Sequence, residues 1–220
     1  MAPDSPAKSG NLPLPAGLIL AGGRSSRMGE DKTIMALDGR PMIAHVAARL
    51  APQVSTLAIN APTTFPAHAG LAVVPDTLAD HQGPLAGVLA GLRHFTSPST
   101  RLDGPSPTHM VTAPADGPFL PQDLVARLAA AAADAQTIPV AASGGHLHPV
   151  YALWPLSLAD DLETWLTDPD NRRIKAFFAR HPMVEVDFAS EQTPAGPRDP
   201  FFNVNTPEDL ARARQFLERA

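Results

Sequence analysis

The sequence predicts an α/β fold: a doubly wound, mostly parallel sheet with helices on both faces. Three observations predict it. Short apolar runs rich in branched residues recur at Gly17–Ala21, Leu57–Ile59, Leu71–Val74 and His109–Val111. They lack polar alternation, so they read as strands buried on both sides. Segments with a 3.6-residue apolar period lie between them. Alternation of the two is the pattern of crossover connections, which lay strands parallel and place helices over both faces.

The elements follow in chain order. Residues 1–16, MAPDSPAKSGNLPLPA, are expected to form a flexible tail ahead of the first strand. Pro41 suits a first helical position, and Ile43, Val46, Ala47 and Leu50 follow at i, i+3, i+4 and i+7 as one apolar stripe. Leu85–Phe95 and Leu124–Ala133 read as further helices, the second introduced by Pro121 and made almost wholly of good helix formers. Ser97–Pro107, SPSTRLDGPSP, is a Pro/Ser/Gly loop. The last third is expected to hold a strand at Pro149–Leu153, helices at Leu156–Leu166 and Arg172–Arg180, and a strand at Met183–Phe188. Thr206-Pro207-Glu208-Asp209 announces the final helix with an N-cap, a first-turn proline and two acids, and Leu210, Ala213 and Leu217 form its apolar face.

Composition narrows the classes of function. With 220 residues and 44% hydrophobic content the chain can bury a sizeable core. No stretch approaches the roughly 18 uninterrupted apolar residues of a membrane span, and the opening residues lack the apolar run of a secretory signal. The chain has no cysteine, which excludes disulfides, thiolate zinc sites, iron–sulfur ligation and cysteine nucleophiles together. A soluble cytoplasmic protein is the expectation. A net charge of −5 without a basic run argues against non-specific nucleic-acid binding. A phosphate-bearing ligand must then be held by a few placed groups, which favours a small molecule.

In a sheet of this kind ligands bind at the carboxyl ends of the strands. Directly after the first expected strand stands Leu20-Ala21-Gly22-Gly23-Arg24-Ser25-Ser26-Arg27-Met28-Gly29-Glu30-Asp31-Lys32. Glycines let backbone N–H groups approach a phosphate, and Arg24, Arg27 and Lys32 bring cationic donors. The segment has neither the Gly-Lys-Ser/Thr of a Walker loop nor a dinucleotide fingerprint. Taken alone it also admits a less favoured reading as a glycine-rich turn with solvated basic residues. Asp76 and Asp116 lie just past two further strands, on the same expected edge. Either one alone reads as a turn or helix cap, but beside the cationic loop Asp116 is suited to Mg²⁺ and Asp76 to a base or sugar.

The segments LAGGRSSRMGEDK, TLAD before HQGPLAG, PADGPFLP and FFNVNTPEDL resemble, in order and spacing, the molybdenum cofactor guanylyltransferases, from about Gly17 to the C-terminal helix. The resemblance implies a Rossmann-like nucleotidyltransferase that uses GTP and Mg²⁺ to convert the molybdenum-molybdopterin cofactor to its guanine dinucleotide form, releasing pyrophosphate. It implies a single domain over 17–220, with a nucleotide half at about 17–120 and an acceptor half at about 121–220. It places Leu20, Ala21, Gly22, Gly23, Lys32, Asn60, Asp76 and Asp116 at the nucleotide, Asp116 on the metal, and Arg27, Lys32 and Asp116 in catalysis. It places Arg172, Arg173, Asn203 and Asn205 toward the pterin. Asn203 and Asn205, two apart on an extended run, project to one face, or else cap the final helix. The implied partners are the molybdopterin-loading protein and apo-molybdoenzymes or their chaperones, with no nucleic acid and no membrane.

The chain departs from the family where Ala115-Asp116-Gly117-Pro118 replaces the usual Cys-Asp-Thr-Pro, keeping the aspartate and losing the threonine hydroxyl. Gly22-Gly23 leans toward guanine, since the related cytidylyltransferases open with LAAG. His146 and His148 share one strand face, but without a thiolate or an HExxH pattern a structural or pterin-facing role is favoured over a metal pair. Trp154 and Trp165 read as core or groove residues rather than a base-stacking platform. Rival readings are the molybdopterin cytidylyltransferase, a sugar-phosphate or alditol-phosphate nucleotidyltransferase, and a non-catalytic adapter that carries the cofactor.

Overall fold

The structure is a computed structural model, and it describes residues 13–22, 36–66, 70–78, 83–100 and 105–218. In chain order its elements are β1 (Ala16–Leu20), β2 (Ala36–Leu37), β3 (Arg40–Pro41), α1 (Met42–Leu50), β4 (Thr56–Asn60), β5 (Ala72–Val74), α2 (Pro84–Thr96) and β6 (His109–Pro114). Then come α3 (Leu124–Ala131), β7 (Ile138–Ser143), β8 (His146–Pro155), α4 (Ala159–Trp165), α5 (Ile174–Phe178), β9 (Met183–Asp187), β10 (Glu191–Thr193), β11 (Gly196–Arg198) and α6 (Pro207–Leu217).

Seven strands form the main sheet in the order β5-β4-β1-β6-β8-β7-β9. β1 pairs in parallel with both β4 and β6, so the chain reverses its direction of growth at β1. β8 runs antiparallel to both its neighbours, while β7 and β9 pair in parallel. The sheet is covered on both faces, as expected. One face packs Val88, Leu89 and Leu92 of α2 with Leu162 of α4 and Phe177 of α5. The other packs Ile43, Val46 and Leu50 of α1 with Leu124 and Leu128 of α3. Among the described residues no helix is long and apolar enough to cross a membrane.

Two hairpins use the turn chemistry that their tightness requires. Asp38 and Gly39 have φ of 51° and 72° between paired Leu37 and Arg40. Gly144 and Gly145 have φ of 54° and 78° between paired Ser143 and His146. Two successive positive φ values are the signature of the turn whose twist matches antiparallel strands.

The structure corrects several boundaries. Pro41 closes β3 and stands at the N-cap of α1 rather than inside it, where its lack of an N–H is harmless. Of the expected tail, Ala16 is already in β1 and Pro15 O accepts the Ser55 N–H at 2.9 Å, while residues 1–12 lie outside the described residues. α3 begins at Leu124, as expected, with Asp123 at its N-cap, but it ends at Ala131 rather than Ala133. β8 is twice the expected strand, starting at His146 and ending at Pro155. α5 is confined to Ile174–Phe178. α6 has a full capping box between Thr206 and Asp209, but its buried face is Leu210, Ala213 and Phe216, with Leu217 only partly covered. Trp154 is fully buried and donates to Thr112 Oγ1 at 3.0 Å, while Arg180 lies over the half-buried ring of Trp165, so neither tryptophan offers a stacking platform.

Candidate functional site

The carboxyl ends of β1, β4, β5, β6, β7 and β9, with the start of β8, form one sheet edge. Leu20 and Ala21 are pinned at its centre. Ala21 N donates to Asn60 O at 2.8 Å, and Leu20 O accepts from Ala115 N at 3.0 Å. Gly22 follows, exposed. The expected phosphate-contacting residues Gly23, Arg24, Arg27 and Lys32 lie outside the described residues, as does the segment 79–82.

Asn60 ends β4 and is only 4% exposed, so it reaches no ligand freely in this state. Its amide instead donates to Val74 O at 3.0 Å and to Asp76 Oδ1 at 2.8 Å. The bond holds the exposed Asp76 carboxylate at the edge. α2 packs so closely here that an ideal Cβ on Gly87 would lie 2.2 Å from Asn60 Oδ1 and 2.9 Å from Leu20 Cδ2. Gly83, with φ 154°, opens that helix, and Arg172 O stands 3.8 Å from where its Cβ would be. Arg172 and Arg173 are both exposed, and Arg172 Nε donates to Pro169 O at 2.7 Å.

Asp116 follows β6, half-buried, and its backbone oxygen accepts from Val204 N at 2.9 Å. That contact brings the C-terminal segment onto the edge. Asn203 and Asn205 do not sit on a regular strand, and they differ in environment. Asn203 is half-buried with its Oδ1 sealed from solvent, whereas Asn205 is exposed and its backbone N–H donates to Asp209 Oδ2 at 2.9 Å, inside the cap of α6.

The sequence reading missed a second cluster on the same edge. His148 Nε2 lies 2.7 Å from Ser143 Oγ, which lies 2.9 and 2.8 Å from the two oxygens of Asp199. A serine hydroxyl has one proton, so it donates to the carboxylate and accepts from His148 Nε2–H. That order is unsuited to a nucleophilic serine, whose proton would have to pass to the histidine. Burial pushes the His148 imidazole below its usual value, with Asp199 opposing and His146 assisting. His146 is exposed and its Nδ1 contacts Gly144 O at 3.0 Å. Among the described residues no group of three His, Cys, Asp or Glu side chains is placed to hold a metal. The visible signal for this cluster was Asp199, separated from FFNVN only by Pro200; Ser143 had none, because its strand was not expected.

Tyr151 of β8 stands between the two groups, its ring 4.6 Å from that of Phe201 and its phenol pushed well above the usual tyrosine range by burial and by Asp116 and Asp199.

A family model described as the MobA-like NTP transferase domain matches residues 17–185. The molybdenum cofactor guanylyltransferase of Rhizobium meliloti (strain 1021) is 49% identical, with 92% of this chain and 92% of that one covered. The protein of the same name from Sinorhizobium fredii (strain NBRC 101917 / NGR234) is 45% identical, with 98% and 96% covered. Two solved structures share the fold. Molybdopterin-guanine dinucleotide biosynthesis protein A from Archaeoglobus fulgidus superposes with a TM-score of 0.68 at 24% identity, over 90% of this chain and 96% of that one. The 4-diphosphocytidyl-2C-methyl-D-erythritol synthase from Anaerococcus prevotii does so at 0.63 and 12% identity, over 94% and 99%.

Proposed function

The chain belongs to the MobA-like NTP transferase family, and from that premise we propose that it is a molybdenum cofactor guanylyltransferase, moving GMP from GTP onto molybdenum-molybdopterin with release of pyrophosphate. The observation that carries the reading is one sheet edge on which the β1 loop, the Asn60–Asp76 pair and Asp116 converge.

The acceptor's terminal phosphate attacks the α-phosphorus of GTP. A new phosphorus–oxygen bond forms as the bond to pyrophosphate breaks. A phosphate monoester is nucleophilic at neutral pH, so no protein base is assigned and the protein's work is positioning and charge neutralisation. Asp76, steadied by Asn60, accepts N–H or O–H groups of the guanosine. Gly22 and Gly23 let the backbone approach the triphosphate, and Arg27 and Lys32 oppose its charge. The acceptor lies over the C-terminal half, toward Asn203 and Asn205, with Arg172 and Arg173 at the rim.

We assign Mg²⁺ as the metal. The donor set fits it: Asp116 supplies hard carboxylate oxygens, among the described residues no three His, Cys, Asp or Glu side chains form a closed cage, and Mg²⁺ takes one or two carboxylates and completes its shell with phosphate oxygens and water. Bound by Asp116, the ion would neutralise charge on the departing pyrophosphate.

Pyrophosphate release from GTP, CTP, ATP and UTP, each with Mg²⁺ and molybdenum-loaded pterin and against a control without acceptor, tests the reading. Release confined to GTP with pterin is expected. Preference for CTP would move the chain to the sister activity, and silence with all four would favour the sugar-phosphate nucleotidyltransferase or the non-catalytic adapter instead.

A further inference from the structure

Gly117, directly after Asp116, has no room for a side chain. An ideal Cβ there would lie 1.7 Å from the Tyr151 hydroxyl oxygen, 3.1 Å from Tyr151 Cζ and 3.2 Å from Asn203 Oδ1. Backbone conformation does not demand the glycine, since Gly117 is not among the glycines with positive φ. Space demands it. The tip of a phenol from β8 occupies the place that the residue's own side chain would take, at the position where threonine is usual in the resembling family.

That phenol is held at a cost. Tyr151 is 0% exposed, and neither its hydroxyl nor Asn203 Oδ1 finds a hydrogen-bond partner among the described residues. A buried polar group without a partner is destabilising, and phenylalanine would fill the same space without the penalty. A buried polar group left without a partner calls for a reason, and a catalytic role is one such reason. The two orphaned atoms border the same point, one a donor and the other an acceptor. A phenol keeps its proton at neutral pH, so it serves as a donor.

Resting on the proposed transferase reading, we propose that Tyr151 is a positioning residue for nucleotidyl transfer: its hydroxyl replaces a side chain at position 117, sets the Asp116 turn against β8, and bonds the Asn203 amide oxygen once substrates are seated. Gly117 and Tyr151 then work as one unit, with the hydroxyl delivered from the neighbouring strand.

The experiment moves the hydroxyl. Tyr151→Phe should lower kcat for pyrophosphate release at least tenfold, with KM for GTP changed less than twofold and a melting temperature equal to or above the parent's. Gly117→Ser alone should melt well below the parent, because its Cβ meets the Tyr151 oxygen. In the double variant Gly117→Ser/Tyr151→Phe that oxygen is gone, so the melting temperature should return and most of kcat with it. A tyrosine that merely packs would give the melting rescue, but neither the kcat loss in Tyr151→Phe nor its recovery in the double variant. Tyr151→Phe with kcat within twofold of the parent, or a double variant no faster than Tyr151→Phe, overturns the proposal. GTP binding by calorimetry runs alongside. If the parent binds GTP but turns nothing over, the transferase reading fails, and the pairing of 117 with 151 is judged on melting alone: a double variant that melts as low as Gly117→Ser refutes it.

Discussion

Gly87→Ala is the sharpest test of how the nucleotide edge is held. In a helix interior this exchange ordinarily stabilises by about 1 kcal/mol. At Gly87 the new methyl would meet Asn60 Oδ1 at 2.2 Å and Asn60 Cγ at 2.8 Å, so the amide must swing away from Val74 O and Asp76 Oδ1. Each lost hydrogen bond is counted at about 1 kcal/mol, the one to Asp76 kept modest because that carboxylate is exposed. Overpacking beside Leu20 adds about 1–3 kcal/mol. Against the helical gain, the net loss is about 2–4 kcal/mol, which lowers the melting temperature of a chain this size by about 4–16 °C. Gly91→Ala, one turn on, is the control. Its methyl would meet Leu18 Cδ2 at 2.5 Å and Met110 Sδ at 2.6 Å, side chains that can shift, and it disturbs no polar pair. Thermal melts and GTP titrations of both variants decide the matter. Gly87→Ala should lose both stability and GTP affinity, and Gly91→Ala should lose less stability and keep its affinity. A Gly87→Ala variant that melts at or above the parent and binds GTP unchanged would refute the reasoning.

Four further outcomes are expected. Asp116→Asn should cut turnover by orders of magnitude with little change in melting; near-normal turnover at limiting Mg²⁺ would remove the metal assignment. Lys32→Ala should raise KM for GTP or lower kcat/KM by orders of magnitude, and unchanged GTP kinetics would sink its phosphate role. Thr112→Val removes a hydroxyl that donates to Val150 O at 2.8 Å and accepts from Trp154 Nε1 at 3.0 Å, so denaturant unfolding should show a loss of about 1–3 kcal/mol. Burial pushes His94, His109 and His148 below the usual histidine value, so the unfolded chain takes up protons first on acidification. Their stabilisation is complete above about pH 6.5 and is lost as pH falls through the depressed folded values, and His109→Gln should flatten that slope in unfolding measured from about pH 8 to about pH 5.

The parallel half of the sheet was legible because its strands, buried on both faces, are written as unbroken apolar runs. β7 was not: Ile138–Ser143 reads IPVAAS, and Pro139 argues against a central strand. The proline is accommodated where registered pairing with β8 begins only at Val140. The first half of β8, HLHPV, is half-exposed at the edge and reads as polar, so only its buried portion was anticipated. In the site, Asp76 and Asp116 were visible as strand-end carboxylates, whereas Asn60 entered only through the resemblance. The contact of Tyr151 with Gly117 joins β8 to the turn after β6, and Ser143–His148–Asp199 joins β7, β8 and the segment after β11. Both depend on the placement of an antiparallel strand that local patterns do not encode. Sequence adjacency says nothing about either.

The hydrogen bond from Val204 N to Asp116 O has a consequence for how the protein is made. On a translating ribosome the Asp116 turn emerges well before the segment that fastens it, by about 4–18 s at elongation rates of about 5–20 residues per second. During that interval β1 and β6 can pair, but the turn lacks its tie to residue 204, and Phe119 lacks the cover of Phe216. A nascent chain therefore carries a preassembled edge that is not yet competent, with an aromatic patch for chaperones to shield, until residues 204 to 216 have emerged to fasten and cover it.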